Sequence, residues 1–373
     1  MRPLTGNHHR SYFLSRLSRC VLAVLLTAAA GASAGERGLI GPGQAKPNAG
    51  TAPPLKPEAW HKADGYVFDL DEVWGLRIKP RGVFQIPGGV GLLYNSRPPA
   101  GFEAPKGFAS QQTGSLAFSR NLVDWYDYPG NPVLYELQDW QGSQRVMPRA
   151  MLYDERNEQW VVYFGDANGD YPGIRAGGTA YSYDLVTWRY EPGPTITIHD
   201  YVNAVPDRIE ATDEEIEKDG RIYPTWAIYH EGRYYLRVSG TNRTGQNRSS
   251  GSVMLVSDAP GGPFEYAGDF RGDFIPGSRP VYSDGKWYTV FSGNWDGQPG
   301  FGLAYADDLL GPYETNPQNP IITVETTTRA RPQLFRYDGT WAILFARFYA
   351  YRDMRLRLAL ANIHPDLIPR EKP

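Results

Sequence analysis

The sequence predicts an all-β protein, a single five-bladed β-propeller whose blades have four strands each. Two observations support this prediction: an aromatic hairpin pattern that occurs five times along the chain, and a second hairpin that follows every copy. Repeats of this length cannot bury their own apolar faces, so they are typical of stacked units such as propeller blades. The predicted propeller spans residues 65–368.

The first hairpin of each repeat is an aromatic, β-branched run interrupted by a glycine-marked or polar turn. The turn centres are 68, 75, 53 and 54 residues apart and lie at Gly89, Asn157, Gly232, Gly285 and Gly339. Alternation of apolar and polar residues on both sides of a turn is typical of paired strands with one buried face. We expect the first repeat to pack beside the last, so that the ring closes.

A second hairpin follows in every repeat, which brings the count to four strands per blade. These hairpins span residues 115–125, 179–188, 252–264, 301–313 and 355–361. Helix-periodic stretches are almost absent between them. The pattern therefore favours one propeller over a propeller with a helical domain attached.

The N-terminal segment carries the features of an export signal. Residues 1–34 combine basic residues, an apolar run from Val21 to Ala30 and a small-residue cleavage site, which predicts a secretory signal peptide. The only cysteine, Cys20, would leave with it, so the mature chain would have no thiol for a disulfide or a nucleophile. Residues 35–64 are rich in Gly, Pro, Ala and Lys and predict a flexible leader. We expect a periplasmic or secreted protein.

Charge and composition exclude several partner classes. The net charge is −3, from 38 basic and 41 acidic residues, so no overall field attracts nucleic acid or a membrane surface. Aromatic residues make up 13% of the chain, with 10 Trp and 25 Tyr. Blade packing accounts for most of them, and the surplus suits a surface that stacks on sugar rings. The sequence leaves the oligomeric state open.

Phrases at the outer-strand turns resemble those of the five-bladed glycosidases. They read Ser257–Phe264, Asp308–Tyr313 and Asp184–Trp188, similar to the S-D-S-P-x-G-P-F and D-L-x-x-W turns of glycoside hydrolase family 43 and its relatives in families 32, 62, 117 and 130. The resemblance covers essentially the whole mature chain and implies the propeller fold and glycosidase activity. The phrases themselves build blades and carry no chemistry.

In a propeller, the innermost strands begin at the face where the second strand connects to the third. This rule predicts an active face made of segments 95–114, 165–178, 239–251, 292–300 and 347–354. An acidic insertion, residues 196–222, leads into the third blade. It is either a solvated loop or short helix, or a rim element that delivers one carboxylate to the pocket.

Arginines recur at the start of the innermost strands. An Arg-x-x-Pro pattern and its neighbours supply a candidate cationic ring, consisting of Arg77, Arg145, Arg149, Arg221, Arg279, Arg329 and Arg331. Guanidinium groups suit bidentate binding of a carboxylate or sulfate, which would indicate a uronic or sulfated sugar. The alternative is that these arginines bridge neighbouring blades through ion pairs.

Glycoside hydrolysis requires two carboxyl groups on either side of the scissile bond. The family 43 resemblance implies an Asp base, an Asp that tunes a pKa and a Glu acid close to the prolines of the innermost strands. This chain has Lys79, Met147, Tyr223, Arg279 and Arg331 before those prolines. The candidate catalytic carboxylates therefore come from loops and strand approaches, namely Asp71, Asp166, Asp219 and Asp296, with Asp170 as a further candidate; each is also an ordinary turn residue.

The remaining candidates concern sugar platforms and cofactors. Trp295 and Tyr171 lie in predicted active-face segments and could stack on sugars, and His199 could act as an acid. No cofactor is expected, with calcium as the alternative: the segment from Asp166 to Asp170 starts like a calcium loop, although Tyr171 and Gly177 stand where such a loop has its glycine and glutamate. The sequence predicts an exported glycosidase, with a lyase or phosphorylase in the same pocket, or a non-catalytic sugar-binding propeller, as alternatives.

Overall fold

The computed structural model is a five-bladed β-propeller, which confirms the fold predicted from the repeats. It describes residues 51–68, 79–98, 102–141, 145–165, 176–204, 221–241, 251–274, 276–327, 330–350 and 353–370. The predicted signal peptide lies outside these residues. Each blade is an antiparallel sheet whose strands follow one another from the channel outward.

The first half of the chain supplies one strand of the last blade and the whole of blades I and II. Strand β1 (Trp60–Lys62) follows a 3-10 turn and joins blade V. Blade I contains β2 (Lys79–Ile86), β3 (Gly89–Ser96), β4 (Thr113–Ser119) and β5 (Tyr126–Asp127). Blade II contains β6 (Pro148–Asp154), β7 (Gln159–Gly165), β8 (Ala176–Ser182), β9 (Arg189–Tyr190) and β10 (Ile196–Thr197), followed by the helix α1 (Ile198–Ala204).

The second half supplies the other three blades. Blade III contains β11 (Arg221–His230), β12 (Arg233–Thr241), β13 (Gly251–Ser257) and β14 (Glu265–Asp269). Blade IV contains β15 (Val281–Ser283), β16 (Lys286–Trp295), β17 (Gln298–Ala306), β18 (Glu314–Thr315) and β19 (Ile322–Thr323). Blade V contains β20 (Gln333–Tyr337), β21 (Thr340–Ala350) and β22 (Asp353–Ala361), with β1 as its outermost strand.

The hydrophobic core lies between the blades. In the described residues it divides into five clusters, each shared by two neighbouring blades. Val83 and Leu92 of blade I pack with Phe335 and Leu344 of blade V, so the first repeat lies beside the last, as predicted. Full burial of a side chain of this size contributes about 1.5–3 kcal/mol, and these contacts hold the ring closed.

The segment predicted to be a flexible leader contributes the strand that completes blade V. Trp60 pairs with Ala361 of β22, and its indole Nε1 donates a hydrogen bond of 2.9 Å to the carbonyl oxygen of Pro54. The Trp60 ring is 7% exposed and belongs to the cluster between blades IV and V. The folded ring therefore begins several residues before position 65.

An ion pair between a buried arginine and an exposed glutamate stabilises the same region. Arg357 on β22 is 4% exposed and donates to Glu325 at 3.0 Å and to the carbonyl oxygen of Ala63 at 2.9 Å. Burial opposes ionisation of Glu325, but a backbone hydrogen bond and the charges of Lys62 and Arg357 together lower its pKa. The carboxylate thus links the N-terminal segment to the last blade.

Two segments predicted to be active-face loops are strands instead. Segment 292–300 is the end of the β16–β17 hairpin, which continues to the pair Trp295 and Gln298. Segment 347–354 is likewise the end of the β21–β22 hairpin, with its last pair at Ala350 and Asp353. In both segments the backbone N–H and C=O groups pair across the hairpin, and this pairing satisfies their hydrogen bonds.

Candidate functional site

The innermost strands of blades I to III share a β-bulge directly after a proline. The register shifts between Pro80 and Gly82 in β2, between Pro148 and Ala150 in β6, and between Pro224 and Trp226 in β11. A bulge leaves one residue out of the ladder and turns its side chain in a new direction. The residues at these three equivalent positions are Arg81, Arg149 and Thr225.

A small cavity on the propeller axis collects residues from all five blades. Its lining is Arg81, Gly82, Val83, Met151, Thr225, Trp226, Gly277, Arg279, Gln333 and Leu334. The cavity volume is ≈ 30 Å³. That is room for a single water-sized group, so the cavity fits an ion or the tip of a ligand, and a whole sugar ring would have to remain outside it.

Two arginines, Arg81 and Arg279, line this cavity. Arg149 and Arg331 lie near Arg81, and Arg237 donates a hydrogen bond to the lining residue Thr225. Burial, together with the charges of Arg149 and Arg331, lowers the pKa of Arg81 well below its ordinary value. Burial lowers the pKa of Arg279 to about 10, and burial with the charge of Arg331 lowers the pKa of Arg237 to about 10. In the described part of the chain, no carboxylate lines the cavity. The described lining of the cavity is therefore cationic.

Arg81 and Arg237 donate hydrogen bonds to neutral groups, and each keeps one buried donor that has no partner among the described residues. Arg81 donates from Nε to the Oδ1 of Asn95. Arg237 donates from Nη1 to the Oγ1 of Thr225 at 3.2 Å and lies 5.8 Å from the centre of the Phe270 ring. The Nη2 of Arg81 and the Nε of Arg237 are buried without a hydrogen-bond partner among the described residues. Such donors favour an anion that can accept from them.

The structure distributes the seven predicted arginines among different places. Arg149, Arg279 and Arg331 belong to the central cluster, with Arg149 stacked 5.0 Å from the centre of the Tyr223 ring. Arg145 instead donates from Nε to the Oε1 of Gln111 at 2.6 Å, which places it between blades I and II. Arg77 and Arg329 lie outside the described residues, and of Arg221 only the strand position is described.

Of the predicted catalytic carboxylates, only Asp296 lies among the described residues, and it does not line the cavity. Asp296 is exposed in the turn between β16 and β17, where its backbone φ is 52°, a usual conformation for a turn aspartate. Three other catalytic candidates and the further one, Asp71, Asp166, Asp219 and Asp170, lie outside the described residues. The roles predicted for these four residues therefore stay predictions.

Of the two predicted sugar platforms, only Trp295 lies among the described residues. The Trp295 ring folds back along its own strand, 5.9 Å from the ring of Phe291, and packs against the cluster between blades III and IV. His199 lies on α1, and Tyr171 lies outside the described residues.

No helix among the residues that the structure describes is both long enough and apolar enough to cross a membrane.

Two members of the central cluster were not predicted from the sequence. Arg81 follows Pro80 as Arg149 follows Pro148, so the proline itself marks the position and could have identified it. Arg237 lies in β12 between Leu236 and Val238, which are fully buried. A charged residue inside a buried strand is rare, and that rarity was the available signal.

Comparison with known proteins supports the fold. No protein-family model and no curated protein matches this chain. Among solved structures, a complex of BT0996 with RGII has a TM-score of 0.53 at 13% identity and covers 82% of this chain and 92% of its own; a glycoside hydrolase has a TM-score of 0.52 at 12% identity and covers 84% and 96%. A family 43 (GH43_1) enzyme from Xanthomonas citri has a TM-score of 0.49 at 12% identity and covers 83% and 95%. The chain therefore has the propeller fold of the glycoside hydrolases that it resembles, and at this identity the likeness shows the fold alone.

Proposed function

We propose that the protein is an exported glycosidase that acts on an acidic carbohydrate, one that carries uronate or sulfate groups. The observation that supports the acidic substrate is the pair of arginines that line the axial cavity, Arg81 and Arg279, together with buried donors of Arg81 and Arg237 that have no partner among the described residues. The glycosidase activity is supported by the fold shared with glycoside hydrolases.

Several like charges in a partly desolvated site are unfavourable unless an anion compensates them. A carboxylate or sulfate at the mouth of the axial cavity, with one oxygen directed into it, would accept hydrogen bonds from Arg81 and Arg237 and would reduce the repulsion that Arg149 and Arg331 exert on Arg81. Because the cavity admits only a water-sized group, the sugar ring would rest at the mouth with its anionic group directed inward. The arginines would thus orient the substrate, and other groups would perform the chemistry.

Hydrolysis would need one carboxyl group that protonates the leaving oxygen and a second that activates water or attacks the sugar. Asp71, Asp166 and Asp219 are our candidates for these roles, with Asp296 as a fourth that the structure places on an exposed turn. Inversion requires the two carboxyl groups to be roughly 6.5–9.5 Å apart, and retention requires roughly 5–5.5 Å.

A lyase is the second candidate, and the arginine cluster favours it specifically. Neutralisation of a uronate carboxylate makes the neighbouring C–H more acidic, so a base can remove that proton and the glycosidic oxygen leaves with formation of a double bond. This reaction needs no carboxylate pair. A sugar-binding propeller without catalysis would use the same cluster for recognition alone.

One experiment separates these functions. The purified mature protein is incubated with neutral, uronic and sulfated oligosaccharides, and products are followed as new reducing ends and as ultraviolet absorbance of unsaturated sugars. Reducing ends without absorbance support the glycosidase, and both signals together support the lyase. Binding without any product supports the recognition module, and activity confined to neutral sugars would refute the acidic substrate.

A further inference from the structure

A second groove lies at the outer side of the propeller, between blades II and III. It has a volume of ≈ 590 Å³, which is within the usual range for ligand sites. Residues 189–195 form one wall and residues 259–262 form the other. Tyr181 and Tyr183 also line it, with Asn157 and Gln159 at the turn that follows β6.

The groove is remote from the axial cavity. Arg149, near the start of β6, belongs to the central cluster, whereas Asn157 follows the other end of the same strand. A strand of this length spans roughly 20 Å. A ligand in the groove would therefore not contact the arginines.

Tyr183 is an exposed aromatic residue that the fold does not require. Its side chain is 78% exposed, and it directly follows the third strand of blade II. At the same place in the other blades the chain has polar or charged residues, which are Arg120, Asp258, Asp307 and Asn362. Single exposed apolar residues are common on protein surfaces, so it is the position of this ring in the lining of a groove that makes it a candidate ligand contact.

The groove floor offers directed hydrogen bonds beside that ring. The Tyr181 hydroxyl is hydrogen-bonded to Glu191, and burial together with this carboxylate raises the pKa of Tyr181. The Arg189 guanidinium lies 4.8 Å from the centre of the Tyr181 ring. A Cβ on Gly261 would lie 3.0 Å from the Tyr181 hydroxyl, so the glycine keeps the floor accessible.

We propose that this groove binds the neutral part of a polysaccharide chain, at a site separate from the axial cavity. A sugar ring presents an apolar C–H face for Tyr183 and hydroxyl groups for Asn157 and Glu191. The lining has one cation and one carboxylate, Arg189 and Glu191, and this balance suits a neutral ligand rather than an acidic one. The site would hold the protein on its polymer while the axial cavity engages an acidic unit, so it rests on the proposed carbohydrate function.

The test is electrophoresis of the native protein through gels that contain soluble xylan, β-glucan or galactomannan. We expect at least one polymer to retard the wild-type protein, and Tyr183→Ala to weaken that binding by about tenfold, as expected for loss of one aromatic contact. Tyr181→Phe, which removes only the hydroxyl group, should weaken it by a smaller factor. Tyr126→Ala is the matched control, because Tyr126 is 46% exposed on β5 and outside the groove.

Binding and turnover are measured separately so that each can fail alone. The Tyr183→Ala variant should process short acidic oligosaccharides at the wild-type rate, because they would not reach the groove. Retardation that persists in Tyr183→Ala, or absence of retardation while acidic oligosaccharides are still processed, overturns the groove and leaves the proposed function standing. Retardation lost in Tyr183→Ala supports the groove even if acidic oligosaccharides prove inert.

Discussion

The central cluster makes a prediction about stability that can be tested without knowing the substrate. Burial lowers the pKa of Arg237, a residue only 3% exposed, to about 10. Since each pKa unit is worth roughly 1.4 kcal/mol, the charged form costs the folded state about 3 kcal/mol at neutral pH. The folded-state pKa is lower than the unfolded one, so this cost is fully present below about pH 10 and shrinks as the pH rises above that value.

Replacing Arg237 by Met should therefore stabilise the anion-free protein slightly. The variant loses the hydrogen bond to Thr225, worth about 1 kcal/mol, and the contact with Phe270, worth about 1 kcal/mol. These losses offset most of the 3 kcal/mol that the buried charge costs, which leaves a net gain of about 1 kcal/mol. Urea unfolding in low-salt buffer at pH 7 measures the difference.

Sulfate should reverse that order. An anion present at a hundred times its dissociation constant stabilises the state that binds it by about 2.7 kcal/mol. Sulfate also stabilises proteins generally, because it is excluded from their surface. The sulfate response of Arg237→Met measures this general stabilisation, because the variant lacks one of the arginines that would bind the anion. A variant that is destabilised by more than 1 kcal/mol in low salt, with the same sulfate response as wild type, would show that the protein itself satisfies these arginines and that no anion belongs there.

Three further predictions concern the site and the ring. Arg81→Gln should reduce kcat/KM on an acidic oligosaccharide by about 30-fold or more, the effect of losing a buried charge contact worth roughly 2 kcal/mol. Arg145→Ala should leave the preference for acidic over neutral substrates unchanged. Equal effects of the two substitutions would contradict the assignment of Arg81, and not Arg145, to the anion site. Glu325→Ala should cost about 1.5 kcal/mol in urea unfolding, because buried Arg357 loses a charged acceptor that is itself partly exposed. Asp307→Ala, which breaks the exposed pair with Lys286, should change stability by less than about 1 kcal/mol. Because the folded-state pKa of Glu325 is lowered, the stability that this carboxylate contributes is present above its unfolded pKa and is lost as the pH falls through the folded pKa. The free energies of unfolding of wild type and Glu325→Gln should therefore converge under acidic conditions. A constant difference between them from pH 7 to pH 3 would refute this prediction.

The blades could be predicted from the sequence because their signals are local. Alternating residues and a turn such as Asp284-Gly285, where both residues have positive φ, define a hairpin without reference to the rest of the chain. The direction of a side chain near the channel is a different matter. Arg81 and Arg145 both lie close to a proline, but the bulge after Pro80 directs only the first toward the axis.

The strand at Trp60 escaped prediction for another reason. Its three residues have too few alternations to be recognised, and the flanking prolines and glycines favour an unstructured segment. Pairing with β22 decides its conformation, and that partner is distant in the sequence. Tertiary contacts therefore determine this element, and local propensity does not.

The pairing of β1 with β22 also determines when blade V can be completed during synthesis. Its partner strand β22 ends at Ala361, so a chain made from its N-terminus carries β1 unpaired until about 300 further residues have been synthesised, and that separation makes the contact slow to form. A truncated chain that stops before β22 has no partner strand for β1. Only a chain that includes both β1 and β22 can therefore form the complete fifth blade.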